Sequence, residues 1–392
     1  MSPAEIIHLK ERPWSGVGLE ACYHGGAFFE AIGPEFNMLD RRHDVISADV
    51  LDAWFPPAPP VTEALRDHLP WLLRTSPPTH AEGLVRVIAR TRGVPPECLL
   101  PGAGSSDLIF LALRQWLHAS SRVLMLDPTY GEYAHVCEKV IGCQVDRLEL
   151  HRAEGFRLDL ERLEARCQDG YDLVVLVNPN NPTGQAIPRE DLDQLLKRLP
   201  SGCRCWIDEA YIEYAASDES LEHTAATSAN VIVCKSLSKA YALSGVRAAY
   251  LVAGAETIRE LRLLTPPWAV SLPAQVAAVH AMQAPDYYEA CYATTHELRE
   301  RLAAAIRRIS PDGEVITGVG NWVLWYPGRR DLSVAELIHR CRSRRMYLRE
   351  IRTGADDAVR IAVKDESTQE RMISILQWAL EDVDSPSTGS AN

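Results

Sequence analysis

Residues 173–184 read LVVLVNPNNPTG, in which five consecutive apolar residues run directly into a turn of asparagine, proline, threonine and glycine. An apolar run without alternating polar positions is typical of a strand buried on both faces, as in a parallel sheet covered by helices. Asparagine, proline and glycine then end the strand and favour a turn. Outward from this stretch, the same pattern predicts short strands at residues 123–126, 205–207, 231–234 and 248–252.

Helical patterns separate several of these strands. The spacing of apolar residues predicts helices over residues 106–117, 130–140 and 189–199. Such an alternation of strands and helices indicates an α/β domain with a mainly parallel sheet. Ligands of these sheets bind beyond the carboxyl ends of the strands, so the residues directly after each strand are the first candidates for a functional site.

The last third of the chain follows a different pattern, in which long helices flank short strands. This pattern predicts a second, smaller α+β domain. We therefore expect residues 41–272 to form a large domain, and residues 1–40 and 273–392 to form an N-terminal arm and a small domain. The elements predicted in the small domain are helices over 286–309 and 368–380, and strands near Val315 and over 322–325, 347–349 and 359–363.

Composition excludes several classes of function. The 392-residue chain has 41 Lys and Arg against 53 Asp and Glu, a formal net charge of −12, which argues against a general nucleic-acid or membrane-surface binder. The sequence has no run of 18 apolar residues and no signal-peptide core, so we expect neither a membrane span nor secretion. Ten cysteines without a CxxC pair favour reduced thiols in a cytoplasmic protein over disulfides or a metal site.

Groups suited to an anion follow the predicted strands. Gly104 permits a tight turn, and the two serines after it begin a helix whose free N–H groups can face a phosphate. Two further serines and one arginine add donors. The complete set is Gly104, Ser105, Ser106, Ser236, Ser238 and Arg247.

Four other side chains at the strand ends supply different chemistry: the carboxylate of Asp208, the amide of Asn181, the ring of Tyr130 and the amine of Lys239. Together with a phosphate site they suit pyridoxal 5′-phosphate (PLP), which forms a Schiff base with a lysine while a carboxylate keeps its pyridine nitrogen protonated. Each residue alone has an ordinary structural explanation, such as a cap, a turn or a surface charge. The prediction depends on their order and on their positions after buried strands.

The motifs NPNNPTG, IDEAYIEY, KSLSKAYALSGVRAAY, DPTYGEY and VRIAV resemble those of the class I/II aminotransferases, over nearly the whole chain. Within this family the chain is similar to the branch of histidinol-phosphate aminotransferases and threonine-phosphate decarboxylases, and YHGG and PPWAVS lean towards the decarboxylases. The resemblance implies an α/β, fold-type I PLP-transferase, with a large PLP-binding domain on a mainly parallel sheet and a smaller α+β C-terminal domain. It also implies a homodimer with shared active sites.

The resemblance assigns roles around the cofactor. Lys239 would hold PLP as an internal aldimine and later move the Cα proton, and Asp208 would pair with the pyridinium nitrogen. Asn181 and Tyr211 would hydrogen-bond the phenolic oxygen of PLP, and Tyr130 would stack on its ring. We therefore predict Lys239, Asp208 and Tyr211 as the catalytic residues. The predicted phosphate ligands are Ser105, Ser106, Ser236, Ser238 and Arg247.

Two arginines are assigned to the substrate by the same resemblance. Arg360, in VRIAV, matches the residue that binds the substrate α-carboxylate, a bidentate contact that suits a guanidinium. Arg349 lies near the position of a second substrate-binding arginine, and a surface charge at a strand end is the alternative explanation.

Two segments depart from the family pattern. Relatives carry a tyrosine that reaches the phosphate in the neighbouring subunit, and here Ser76 falls at that position, with His80 close by. Relatives also have an asparagine-rich segment where this chain has SADVLDAWFP. We expect Asp52 and Trp54, with His24, to shape a substrate pocket suited to a cationic or heteroaromatic group. Capping of local turns is the alternative for Asp52.

The leading hypothesis is a PLP-dependent aminotransferase that acts on an amino acid or an amino-acid phosphate. The alternative keeps PLP but performs decarboxylation, elimination, replacement or cyclisation, because the bond that breaks depends on the orientation of the substrate, which the sequence does not fix. A non-catalytic ligand sensor is a remote third hypothesis, which the presence of Lys239 disfavours.

Overall fold

The computed structural model of the chain describes residues 25–33, 35–329, 331–354 and 356–381. Within these ranges the polypeptide forms helices and strands that build three sheets. The strands are β1 (Ile46–Ser47), β2 (Leu99–Gly102), β3 (Arg122–Asp127), β4 (Gln144–Glu149), β5 (Leu173–Val177), β6 (Arg204–Asp208), β7 (Val231–Ser236), β8 (Ala249–Val252), β9 (Glu314–Thr317), β10 (Trp322–Tyr326), β11 (Met346–Tyr347), β12 (Arg349–Thr353) and β13 (Asp356–Ala362).

The α-helices of the described ranges alternate with these strands in the first two thirds of the chain. A π-helix, His135–Ile141, directly continues α5. None of the helices in the described part of the chain combines the length and the apolar character needed to cross a membrane. The helices are α1 (Phe29–Ile32), α2 (Pro59–Arg74), α3 (Glu82–Arg92), α4 (Ser105–Trp116), α5 (Gly131–Ala134), α6 (Leu160–Cys167), α7 (Arg189–Leu196), α8 (Glu222–Thr227), α9 (Leu237–Ala240), α10 (Ala255–Leu264), α11 (Leu272–Met282), α12 (Pro285–Ile309), α13 (Val334–Ser343) and α14 (Glu366–Leu380).

The large sheet has the strand order β2–β8–β7–β6–β5–β3–β4. Strands β3 to β7 pair in parallel, whereas β8 is antiparallel to both of its neighbours, β2 and β7. The five strands predicted from apolar runs correspond to β3, β5, β6, β7 and β8. The predicted α/β class with a mainly parallel central sheet is therefore confirmed.

Strand β5 shows how this sheet is buried on both faces. Val174 and Leu176 belong to one hydrophobic cluster, and Leu173, Val175 and Val177 belong to the other. Because successive side chains of a strand point to opposite faces, each face of β5 packs into a different part of the core. Each of these side chains stabilises the fold by about 1.5–3 kcal/mol, so the position of the turn that follows β5 is firmly fixed.

The C-terminal part of the chain has its own sheet, with the antiparallel order β12–β13–β10–β9. Helix α12 packs against β9 and β10, and α14 packs against α12 and α13. This arrangement is the smaller α+β unit that the sequence predicts.

Two contacts bear on the domain boundaries expected at residues 41 and 272. Strand β1 lies inside the expected large domain, yet it pairs with β11 of the C-terminal part. Helix α11 lies outside the expected large domain, yet it packs against α2 and α3. We therefore propose that the large domain starts after β1 and extends to the end of α11.

Candidate cofactor and substrate site

A cavity of about 330 Å³ lies at the carboxyl ends of β5, β6 and β7. The segment around Val50 and Leu51 covers one side of it. The cavity brings together residues that the sequence predicts for one site. These are Ser105, Ser106, Tyr130, Asn181, Asp208, Tyr211, Ser236, Ser238, Lys239, Arg247 and Arg360.

One end of the cavity has the donors predicted for a phosphate. The Arg247 Nη1 donates to Ser238 Oγ at 3.2 Å, and Ser236 Oγ accepts from the backbone N–H of Ser238 at 3.3 Å. Gly104 has a φ of +98°, and a Cβ there would lie 2.2 Å from Arg247 Nη2. Only glycine therefore allows the guanidinium to approach the start of α4, where Ser105 begins the helix.

Asp208 ends strand β6 and is 4 % exposed. Its Oδ2 accepts from the Tyr133 hydroxyl at 2.7 Å, and its Oδ1 accepts from the Ala210 N–H at 3.0 Å. Burial raises the pKa of this carboxyl to about 6, despite these two donors. A cationic nitrogen beside Asp208 would stabilise its charged form, which is the function that a pyridinium would serve.

The amine of Lys239 points to a carboxylate from a distant part of the chain. Its Nζ donates to Asp52 Oδ1 at 2.8 Å, and the hydroxyl of Ser244 donates to the same oxygen at 2.6 Å. The sequence predicts Asp52 near the site but as a substrate contact, and it does not predict Ser244.

Three tyrosine hydroxyls bind the backbone around Lys239, and we call them the tyrosine collar: Tyr214, Tyr288 and Tyr292. They donate to three consecutive carbonyls, those of Lys239, Ala240 and Tyr241, at 3.3, 3.0 and 3.2 Å. These carbonyls close the four-residue helix α9, where hydrogen-bonding partners within the helix are lacking. The collar therefore fixes the backbone that carries Lys239.

Arg360, on β13, is buried and also lines the cavity. Its Nη1 donates to Asn181 Oδ1 at 2.7 Å, and its Nη2 donates to the Asp49 carbonyl at 2.9 Å. Its Nε is buried without a partner. Burial, with Arg349 nearby, lowers the pKa of Arg360 to about 10. A carboxylate of the substrate would supply the missing acceptor and stabilise the charge.

The two rings predicted to contact PLP also line the cavity. The Tyr130 hydroxyl donates to Glu132 Oε2 at 2.7 Å. The Tyr211 ring packs edge-on against Trp322, with 4.8 Å between the ring centroids, and burial raises the pKa of its hydroxyl. Tyr211 is therefore a neutral donor at physiological pH.

The remaining predicted residues lie elsewhere. The indole N–H of Trp54 donates to Thr295 Oγ1 of α12 at 2.8 Å, and Trp54 does not line the cavity. The role of Trp54 in shaping the substrate pocket therefore stays a prediction. Arg349 lines an adjacent cavity of about 290 Å³ together with Arg360. Ser76 and His80 are exposed, and His24 lies outside the described residues.

A buried charge cluster lies directly behind the cavity. Lys235 Nζ is 2.7 Å from Glu213 Oε1 and 3.4 Å from Glu209 Oε2, and Arg92 Nη2 is 2.5 Å from Glu213 Oε1. Glu222 accepts from the Tyr250 hydroxyl at 2.7 Å. We call Lys235, Arg92, Glu209, Glu213 and Glu222 the buried charge cluster. It links the ends of β6 and β7 to α3 and α8.

The site fits PLP on three structural grounds: a lysine amine and a buried carboxylate face one cavity, Gly104 makes room for the arginine at the phosphate end, and Arg360 has an unpaired donor. Fold and site together define the class of fold-type I PLP-dependent enzymes. The family model of class I and II aminotransferases matches residues 56–376. The chain belongs to this family.

Individual relatives agree with that assignment. A histidinol-phosphate aminotransferase of Staphylococcus carnosus is 29% identical over 269 residues, which are 68% of this chain and 74% of the relative. The structure resembles that of the histidinol-phosphate aminotransferase from Sinorhizobium meliloti in complex with PLP, with a TM-score of 0.77, 22% identity and coverage of 92% and 98%. It also resembles L-threonine-O-3-phosphate decarboxylase from Porphyromonas gingivalis, with a TM-score of 0.75, 20% identity and coverage of 86% and 100%.

The comparisons confirm several predictions. Both branches named from the sequence are represented, and the fold-type I architecture is confirmed by the structural neighbours. Membership of the family confirms PLP as the cofactor and the chain as a PLP-dependent aminotransferase.

Proposed function

We propose that this aminotransferase acts on an amino acid or an amino-acid phosphate whose carboxylate binds Arg360. The proposal is based on one cavity that is lined by both Lys239 and Arg360, together with the buried, unpaired Nε of Arg360. A bidentate carboxylate on this guanidinium would fix the Cα of the substrate relative to Lys239.

The neighbouring cavity supports a substrate with a second anionic group. Arg349 and Arg360 are direct partners in the antiparallel pairing of β12 and β13, and both line this cavity. Two adjacent guanidinium groups suit a phosphate or a second carboxylate. The names of the relatives, histidinol-phosphate aminotransferase and threonine-phosphate decarboxylase, are consistent with such a substrate.

Each residue of the cavity has a role in this proposal. PLP, when bound, supplies the electron sink that stabilises the negative charge formed at Cα. Lys239 Nζ removes and returns the Cα proton, because it is the amine that lines the cavity. Asp208 would hold a proton on the ring nitrogen of PLP, Tyr211 and Asn181 would donate to its ring oxygen, and Tyr130 would pack against the ring.

The phosphate end has a separate role, which is to hold the cofactor in place. Hydroxyls and a guanidinium surround this end of the cavity, and the N–H groups at the start of α4 face it. The residues proposed as phosphate ligands are Ser105, Ser106, Ser236, Ser238 and Arg247.

A test of the reaction uses the purified protein loaded with PLP and supplied with single amino acids and their phosphate esters. Release of a keto acid together with loss of the visible absorbance of bound PLP supports transamination. Release of CO2 without a keto acid would identify decarboxylation instead. A protein that binds no PLP at all would overturn the proposal. Arg360→Lys should raise KM for the substrate by about tenfold or more, because lysine cannot make the bidentate contact.

The proposed assembly is a homodimer with shared active sites. Three apolar side chains are exposed: Leu263 by 83%, Leu264 by 46% and Trp268 by 55%. The backbone N–H of Trp268 donates to the Thr79 carbonyl at 3.0 Å. This exposed apolar surface therefore adjoins the segment that contains His80 and Ser76, where Ser76 falls at the position of the dimer-crossing tyrosine of relatives. A second copy of the chain would cover it. Light scattering should give twice the mass of one chain, and a monomer that retains full activity would contradict the dimer.

We also propose a cytoplasmic location. The cysteines of the described ranges are all free and buried, in accord with a compartment that keeps thiols reduced. Fluorescence of a tagged protein in its source cell would test this location, and enrichment outside the cytoplasm would contradict it.

A further inference from the structure

Asp52 contacts Lys239 in a way that neither the family assignment nor the proposed function uses. The Asp52 Oδ1 lies 2.8 Å from Lys239 Nζ, and the side chains are 42% and 20% exposed. The Ser244 hydroxyl donates to the same oxygen at 2.6 Å and lies 2.9 Å from the Ser238 carbonyl. The carboxylate is therefore held in place from the same segment that carries the lysine.

Hydrogen bonds also fix the backbone on both sides of Asp52. The Asn321 Nδ2 donates to the Leu51 carbonyl at 3.1 Å, and Arg360 Nη2 donates to the Asp49 carbonyl at 2.9 Å. On the other side, the segment is held through a side chain, because Trp54 Nε1 donates to Thr295 Oγ1. All three partners belong to the C-terminal part of the chain. The C-terminal part of the chain thus supplies Arg360, the proposed substrate arginine, and also fixes the segment that carries the Asp52 carboxylate to Lys239.

Other charges surround the pair. Burial alone would raise the pKa of Asp52, but the Lys239 ammonium, the hydrogen bonds from Lys239 and Ser244, and Lys364 hold it below its ordinary value. Burial lowers the pKa of Lys364, which also faces Asp49. Tyr211 also interacts with Asp52, and burial raises the pKa of its hydroxyl. Asp52 is thus an ionised carboxylate beside the reactive amine at neutral pH.

We propose that Asp52 is a positioning residue for Lys239, which orients Nζ in the cavity and stabilises the positively charged state of this nitrogen. The inference rests on the proposed function, because it takes Lys239 as the residue that holds PLP. Asp52 then sets the pH at which this nitrogen gains or loses its proton in the PLP-loaded enzyme. It acts through Lys239 and needs no contact with the substrate.

The test is a pH titration of the visible absorbance of the PLP-loaded enzyme, compared between the wild type and Asp52→Asn. The asparagine keeps the volume and can accept from Ser244, but it lacks the charge. We expect the midpoint of the absorbance change to fall by about one pH unit in the variant, because an opposite charge in contact favours the protonated nitrogen and partial exposure weakens the effect. Added salt should lower the wild-type midpoint towards that of the variant.

Two further variants separate this role from a general charge effect. Asp52→Glu restores the charge one methylene further out, and its midpoint should lie between those of the wild type and Asp52→Asn. Asp49→Asn removes the same charge three residues away, where the side chain accepts from the Gly26 N–H and the Ser47 hydroxyl instead of Lys239. Its shift should be less than half that of Asp52→Asn.

Steady-state kinetics supply a second measurement. Asp52→Asn should move the pH dependence of kcat/KM to lower pH, in the same direction as the absorbance midpoint, and leave the order of preference among neutral, acidic and basic amino acids unchanged. An unshifted midpoint in folded, PLP-loaded Asp52→Asn would overturn the inference, and so would an equal shift in Asp49→Asn. A changed order of preference with an unshifted midpoint would make Asp52 a substrate contact, which also overturns it. Failure of the wild type to bind PLP would instead contradict the proposed function.

Discussion

Lys235 and Lys239 lie four residues apart at the end of β7, in opposite surroundings. Lys235 is 1% exposed, and Glu213 and Glu209 contact its amine. Burial alone would lower the pKa of Lys235, but Glu213, Glu222 and Glu209 hold it above its ordinary value. Lys239 lines the cavity and has one carboxylate partner, Asp52, which is itself partly exposed.

The difference between the two lysines follows from the geometry of the strand. Lys235 continues the face of β7 that carries Val231 and Val233 into the core, so its charge must be paired there. Lys239 lies one helical turn further, where the chain has left the sheet and opens towards the cavity. The two lysines of this motif therefore have different roles. Lys235 stabilises the ends of the strands, whereas the amine of Lys239 can contact a ligand in the cavity.

The largest effect is expected from Lys239→Ala. This variant should lose at least about 10³-fold in aminotransferase activity, because it removes the amine that we propose as both the attachment point of PLP and the base for the Cα proton. Its free energy of unfolding without PLP should change by less than about 1 kcal/mol, since the amine has one partly exposed partner. Urea unfolding of the PLP-free protein would measure this, and a large destabilisation would remove the contrast with Lys235.

Lys235→Met should show the converse behaviour. Removal of the cation leaves Glu209 and Glu213 buried with less compensation, so the free energy of unfolding should fall by about 3–5 kcal/mol. Arg66→Met is a matched control, because its ion pair with Asp67 is largely exposed, and it should leave the urea midpoint nearly unchanged. Similar urea midpoints for both variants would contradict the structural role of Lys235.

Asp208 gives the PLP-free protein a predictable dependence on pH. Burial raises its folded pKa from 3.8 to about 6, so between these values the folded state binds more protons than the unfolded state. Stability therefore falls as pH rises through this window, by roughly 2 kcal/mol. Asp208→Asn should lack this loss and bind PLP more weakly. Urea unfolding of the wild type and of Asp208→Asn at pH 4, 5, 6 and 7 would measure this pH dependence. A difference in stability between the two proteins that does not change with pH would refute the prediction.

The tyrosine collar should give the smallest effect. Tyr292→Phe leaves the buried carbonyl of Ala240 without its donor, which should lower the free energy of unfolding by about 1–3 kcal/mol. The control is Tyr287→Phe, whose hydroxyl donates to the exposed Pro56 carbonyl, with an expected change below about 0.5 kcal/mol. Equal effects of the two variants in thermal unfolding would show that the collar does not support the Lys239 backbone.

Apolar runs predict the inner strands well and the outer ones poorly. Strand β5 has the predicted bounds because every residue is apolar and buried. Strand β4 is not predicted, because it lies at the edge of the sheet and has mostly polar, exposed residues. Strand β2 contains proline and glycine, which disfavour a strand. The helix predicted over residues 130–140 is instead α5 followed by a π-helix, a change of hydrogen bonding without a signal in the apolar spacing.

The candidate site is predictable where its residues directly follow strands, and less so where distant segments meet. Asp208 ends β6 and Asn181 lies in the turn after β5, so parallel pairing of these strands brings them together. Contacts such as Asp52 with Lys239, 187 residues apart, depend on how the two parts of the chain pack. The contact of Trp54 with Thr295, 241 residues away, is not predictable from the sequence for the same reason. The sequence does contain an indication of the tyrosine collar, because Tyr288 and Tyr292 are spaced by four residues and so lie on one face of a helix.

We expect Lys239, and not Lys235, to hold PLP. Borohydride reduction of the PLP-loaded protein fixes the cofactor to the lysine that holds it, and proteolysis with mass spectrometry then locates the label within the KSLSK segment. We predict a single pyridoxyl group on Lys239 and an unmodified Lys235. A label on Lys235 or on any other lysine, with Lys239 unmodified, would contradict it.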